Sequence, residues 1–265
     1  METPHVVNRN RDPFVDADGS PRTLKGAAIL SASPHVAEMA GLLGFDTVWI
    51  DVEHGGPSFH DVEALCMAAE AGGAVPTVRL PDHHRHHILR ALEVGARIVV
   101  VPMVNDAATA REIVRHGKFP PLGERGFNTR SRGLDYGLGG VEKITETFAD
   151  ANACTHLIAQ IETVEAARSV AEICAVDGLS GVLVGPGDLS VSLGKTGQFG
   201  DPELIALVEG VMRAARAAGK HAGILVAPGP MLDAARAAGC DLYFCAGDVN
   251  DLARAWRAVL AAVGD

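Results

Sequence analysis

Short runs rich in Val, Ile and Ala recur eight times along the chain, and a longer stretch of helical period follows each of them. That alternation marks βα units wound around a parallel sheet. Predicted strands occupy residues 26–31, 47–51, 75–79, 97–102, 156–161, 181–185, 222–227 and 241–246. Several, such as the Ile-Val-Val-Val-Pro run at 98–102, are apolar without alternation, as strands buried on both faces must be. Predicted helices span 34–43, 59–71, 83–94, 107–116, 141–148, 164–174, 202–218, 231–238 and about 250–263. Asp106 and Asp201-Pro202 supply start signals, while Gly72, Gly117, Gly219 and Gly239 supply stops. A (β/α)8 barrel takes about 250 residues, so eight units account for a 265-residue chain. The expected fold class is α/β, a TIM barrel over residues 23–265 preceded by an arm over residues 1–22.

Composition narrows the class of ligand. Twenty-three Lys and Arg against 33 Asp and Glu leave a net charge of −10, and no basic run offsets it. Nucleic acid and anionic membranes are therefore excluded as partners, and a small molecule is expected. The first 14 residues lack the apolar run of a signal peptide, and no apolar stretch approaches the roughly 20 residues of a membrane span. Five widely spaced cysteines without a Cys-x-x-Cys pair read as reduced core thiols, which points to the cytoplasm.

Function in a parallel barrel collects at the strand C-termini, and here those positions are polar. The second strand ends Asp51-Val52-Glu53-His54, the third in Arg79, the fifth in Gln160-Ile161-Glu162, and the sixth runs into Gly185-Pro186-Gly187-Asp188. Glu162 and Asp188, on neighbouring strands, are either a pair of carboxylates salt-bridged at the barrel rim or two ligands of a hard divalent cation, which takes one or two carboxylates and completes its shell with water or substrate oxygens. Arg79 suits an oxyanion, and His54 either caps the rim or moves protons near neutral pH. Gly194-Lys195-Thr196 is no phosphate loop, because Leu189 stands where the first glycine belongs. None of the five lysines (Lys25, Lys118, Lys143, Lys195, Lys220) falls where a Schiff-base amine would be needed. Metal activation is therefore preferred.

The blocks Ile-Asp-Val-Glu-His-Gly (50–55), Val-Arg-Leu-Pro (78–81), Val-Pro-Met-Val-Asn (101–105), Phe-Pro-Pro-Leu-Gly-Glu-Arg-Gly (119–126), Gln-Ile-Glu-Thr (160–163) and Gly-Pro-Gly-Asp-Leu-Ser (185–190) occur in this order. Together they resemble the HpcH/HpaI family of metal-dependent class II pyruvate aldolases, from about residue 26 to the C-terminus. The resemblance implies a barrel of the phosphoenolpyruvate/pyruvate-binding type. It implies Mg2+, Mn2+ or Co2+ on Glu162 and Asp188, and pyruvate or hydroxypyruvate on Gln160, the Gly187 amide and Asp188. Arg79 then stabilises the enolate, His54 is the acid/base, and Glu93 supports that histidine where the family commonly has Asp. The products of cleavage are a 2-oxo acid and an aldehyde. A same-fold oxaloacetate decarboxylase, a macrophomate-synthase-like enzyme or a non-catalytic binding barrel is the alternative. Assembly as a homo-oligomer, a hexamer in the family, is implied as well, with the last helix packed on a neighbour. Leu225, the arm and the long connection at 119–140 are expected to shape the aldehyde side of the pocket. Ala28, which replaces a common Trp, and the histidine-rich stretch 82–87 are expected to contribute there too.

Overall fold

The computed structural model describes residues 11–264. The eight strands are β1 (Leu24–Ile29), β2 (Thr47–Asp51), β3 (Val75–Arg79), β4 (Ile98–Val101), β5 (His156–Ile161), β6 (Gly181–Val184), β7 (His221–Leu225) and β8 (Leu242–Gly247). Each pairs in parallel with the next, and β8 pairs with β1, so the barrel is closed. Around it run α1 (Pro34–Leu42), α2 (Phe59–Ala71), α3 (Arg85–Val94), α4 (Ala107–Gly117), α5 (Ile144–Cys154), α6 (Val164–Arg168), α7 (Val170–Cys174), α8 (Pro186–Ser192), α9 (Pro202–Ala217), α10 (Pro230–Ala237) and α11 (Asp248–Val263). The stretch expected as one helix over 164–174 breaks at Ser169, whose ψ of 2° interrupts the helical path. The helix expected from 141 is a 3-10 turn at Val141–Lys143 continued by α5. Helix α8 was not predicted at all.

Two cores follow from the twofold period of the strands. Outward residues such as Val48, Ile50, Val99, Leu157, Val182 and Ile224 pack under the helices. Inward residues, including Leu24, Trp49, Val75, Ile98, Ile158, Leu183 and Phe244, fill the barrel. Phe244 reaches across to Gly26, where a Cβ would stand 2.3 Å from its ring. The same inward register carries on to Asp51, Arg79 and Gln160, so the top layer of the barrel is polar by continuation of the strands.

The other end is plugged by the arm. Phe14 is buried, stacks on His221 at 3.6 Å between centroids, and meets His156 edge-on at 4.9 Å. His156 Nε2 lies 3.0 Å from Asp12 Oδ1. Both histidines open their strands, so residues 11–22 close the N-terminal mouth and do not reach the catalytic face. Residues 1–10 lie outside the described residues. The long connection is likewise at the opposite face, because a segment joining a helix to the next strand emerges at the strand N-termini. There Arg132 pairs with Glu70 and donates to the Val94 carbonyl, and Arg125 sits 4.6 Å from the centroid of the Phe119 ring.

Helix α11 starts with Asp248, whose carboxylate accepts from the Leu30 and Ser31 amides at 3.0 and 2.9 Å. Beyond that anchor Leu252, Trp256, Val259, Leu260 and Val263 are exposed on one amphipathic helix. Beside it lies an apolar groove of about 300 Å³, formed by β1 residues Ala27 and Ile29 with Val36, Met39 and Leu43 of the α1 region. Among the described residues no helix is long and apolar enough to cross a membrane.

Burial pushes His156 below its ordinary value of 6.5, against the opposing pull of Asp12. The imidazole is therefore neutral when folded and takes up a proton on unfolding, so its contribution is complete above about pH 6.5 and is lost as pH falls through the lowered folded value. Urea titrations at pH 7.5 and 5 are expected to show a smaller acid loss of stability for His156→Gln than for the wild type. An unchanged acid slope would contradict this account.

Candidate active site

At the C-terminal mouth lies a cavity of about 360 Å³. His54, Arg79, Gln160, Gly187, Asp188 and Leu225, predicted from sequence, all line it. Arg79 is its electrostatic centre. The guanidinium is buried beneath the mouth, donates from Nε to Asp51 Oδ1 at 3.1 Å and from Nη2 to Asp51 Oδ2, and holds Nη1 2.8 Å from Glu53 Oε2. Trp49, one layer below, puts its ring 5.3 Å from the guanidinium carbon. Asp51 also accepts from the backbone amides of Glu53 and His54 at 3.0 and 3.1 Å, which turns the chain at the strand end and carries His54 to the rim. Burial raises the Asp51 carboxyl, but the Arg79 contacts and the two amides outweigh it and hold it below the usual carboxylate range. Glu53 goes the other way: burial, with the charges of Asp51 and Asp188, lifts it despite Arg79 and His54.

Across the cavity, Gln160 donates to Glu162 Oε2, while Glu162 Oε1 accepts from the Met103 amide at 2.6 Å. Met103 adopts φ of +54°, a rare backbone state for a non-glycine residue, and in it delivers that amide to the carboxylate. Glu162 is raised chiefly by burial, then by the charges of Glu53 and Asp188, against the lowering effect of Met103 and Gln160. Gln160 Oε1 is buried and has no hydrogen-bond partner among the described residues. Asp188 stands in the first turn of α8, exposed to the cavity. Proline at the first helical position, after Gly185, starts that helix. Among the described residues no group of three or more His, Cys, Asp or Glu has metal-holding geometry. Asp188 lines the cavity, whereas Glu162, buried beside Gln160, is not in its lining.

The sequence matches the HpcH/HpaI aldolase/citrate lyase family over residues 28–255. A hydroxypyruvate/pyruvate aldolase of Roseobacter denitrificans is 34% identical over 239 residues, covering 90% of this chain and 92% of its own. The chain belongs to the HpcH/HpaI family. A 2-keto-3-deoxy-L-rhamnonate aldolase of Klebsiella pneumoniae is 35% identical over 201 residues, 76% of this chain and 73% of its own. The crystal structure of an HpcH/HpaI aldolase from Desulfitobacterium hafniense superimposes with a TM-score of 0.83 at 30% identity, covering 91% of this chain and 93% of that one.

For an HpcH/HpaI barrel, several sequence expectations need correction. Glu93, expected to support His54, instead accepts from Asn128 Nδ2 at 2.9 Å and is not part of the cavity lining. It lies in the last turn of α3, toward the face opposite the site. The histidine stretch also stays off the lining: His87 Nδ1 is 2.7 Å from Asp82, and His84 occupies the N-cap position of α3. Neither the described part of the arm nor the 119–140 connection lines the cavity, whereas Ala28 and Leu225 do. No lysine lines it among the described residues. Asp51 and Glu53, not selected as site residues from sequence, had one available signal: they continue the inward register of β2.

Proposed function

We propose that this protein is a divalent-metal-dependent aldolase. It adds C3 of pyruvate, or of a close analogue such as hydroxypyruvate, to an aldehyde, and cleaves the resulting 4-hydroxy-2-oxo acid in the reverse direction. The observation that carries this reading is the convergence of Arg79, His54, Gln160 and Asp188 on one cavity, with Glu162 beside Gln160. Relatives named as pyruvate aldolases over most of their length support it.

Glu162 and Asp188 fit a resident Mg2+, Mn2+ or Co2+. Burial and neighbouring carboxylates make Glu162 an uncomfortable anion, and the Gln160 oxygen is buried without a partner among the described residues. When bound there, the cation supplies Lewis acidity to the oxygens of the 2-oxo acid and makes its C3 proton easier to remove. Gln160 and the Gly187 amide orient the substrate carboxylate. His54, through water, takes the C3 proton. Arg79, held rigid by Asp51 and Glu53, stabilises the negative oxygen of the enolate and then that of the aldol alkoxide. As the C3–C bond forms, the aldehyde oxygen collects a proton, which His54 returns.

The bare apolar face of α11 and the groove beside β1 suit a reciprocal exchange of last helices between two copies, so the working form is a homo-oligomer, taken as a hexamer. Its location is the cytoplasm, where buried thiols such as Cys154, Cys174 and Cys240 stay reduced.

Arg79→Ala is expected to lower kcat for aldol cleavage about 100- to 1,000-fold; near-normal turnover would remove its role. Treatment with EDTA should abolish activity, Mn2+ should restore it, and calorimetry should detect tight Mn2+ binding to the wild type and none to Glu162→Gln. Equal binding by the variant would refute the ligand assignment and favour a silent barrel. In sedimentation, Trp256→Asp with Leu260→Asp should yield a smaller, folded species, and an unchanged oligomer would exclude α11 as the contact.

A further inference from the structure

The lining of the catalytic cavity divides by strand. From β2 to the segment after β6 it carries the polar side chains Asp51, His54, Arg79, Gln160 and Asp188, set beside Trp49, Leu183 and Pro186. Strands β7, β8 and β1 are consecutive neighbours because the barrel closes, and there the lining is apolar: Leu225, Phe244, Ala246 and Leu30. No lysine or arginine stands on this second arc among the described residues, and its one polar side chain outside the thiol of Cys245, Asn250, is uncharged. Arg79, the one lysine or arginine of the lining among the described residues, stands on β3, within the polar arc.

We infer that the acceptor half of the site takes an uncharged aldehyde with an apolar chain and discriminates against aldehydes that carry a carboxylate or phosphate. The inference rests on the aldolase reading and specifies its second substrate. Groups that bind the 2-oxo acid stand on the polar arc, so the aldehyde joined to C3 is directed at the apolar one. An anionic tail there gives up water without gaining a cation or a set of donors. An alkyl tail, by contrast, is drawn in by contact with Leu225 and Phe244.

The test uses the whole protein with pyruvate and Mn2+. Deuterium exchange at pyruvate C3, followed by NMR, first reports the enolate step without any aldehyde. Butanal and succinic semialdehyde share a four-carbon chain and differ by a terminal carboxylate, so the ratio of their kcat/KM values reads the acceptor arc. Butanal is expected to be favoured about 10- to 100-fold, and Ala227→Lys, which adds a cation at the rim of that arc, should narrow the preference. Exchange with equal or better use of succinic semialdehyde overturns the inference and leaves the aldolase standing. An unchanged ratio in an Ala227→Lys protein that still exchanges deuterium also overturns it. Absence of both exchange and aldol turnover overturns the aldolase reading, and the inference with it.

Discussion

In a closed parallel barrel every second residue of each strand points at the axis, and all eight strands must share that interior without voids or unpartnered polar atoms. This chain fills the lower layers with Leu24, Val75, Ile98, Ile158, Leu183 and Leu242, and places Trp49 and Phe244 across the middle. Two further residues along the same register, the inward positions become Asp51, Arg79 and Gln160. The catalytic layer is thus the last layer of the core, resting on an aromatic floor. Rigidity follows directly: a guanidinium stacked over Trp49 and gripped by two carboxylates has little freedom to reorient.

That arrangement concentrates opposite effects within one cavity. Asp51 is lowered because Arg79 and two amides face it, while Glu53 and Glu162 are raised because burial and neighbouring negative charge outweigh their partners. Pairs of carboxylates pushed apart in this way divide labour. Asp51 serves as a fixed anchor for Arg79, whereas Glu162, braced by Met103 and Gln160, stays raised by its burial among other carboxylates. The strained Met103 backbone belongs to the same economy of the site: an unfavourable φ is tolerated where it completes a buried carboxylate's hydrogen bonding.

Much of this was legible in the sequence because the barrel imposes two strong periods. Strands β2, β3 and β5 match their expected limits, and the polar strand ends pointed to His54, Arg79, Gln160 and Asp188, which the fold brings to one cavity, and to Glu162, which lies beside Gln160 outside that lining. Helix α8 was hidden because Gly185-Pro186-Gly187 reads as a loop, although proline at a first helical position is also a start signal. Asp51 and Glu53 carry only the inward register of β2 as a signal, which says where a carboxylate points but not that it positions an arginine. Glu93 was misjudged for a related reason. Its proximity to His54 was carried over by resemblance, whereas its place in the last turn of α3 turns it toward Asn128. The arm and the 119–140 connection failed on topology: length and glycine content suggest a mouth loop, but a helix-to-strand segment returns to the opposite face.

Lys118 shows how far position outranks chemistry in such a barrel. Burial, together with Arg125, brings its pKa down to about 8, into the range of an amine able to form a Schiff base. Yet it stands just after α4, at the strand N-termini, and its ammonium donates to the carbonyls of Asn152 and Thr155 at 2.6 and 2.5 Å. Those bonds tie the start of the long connection to the end of α5 and satisfy carbonyls where that helix finishes. A tuned amine there serves closure of the fold. The cavity where the strands end, with no lysine in its lining among the described residues, is left to carboxylates, an imidazole and a guanidinium, the donor set on which the proposed activation by a divalent cation rests.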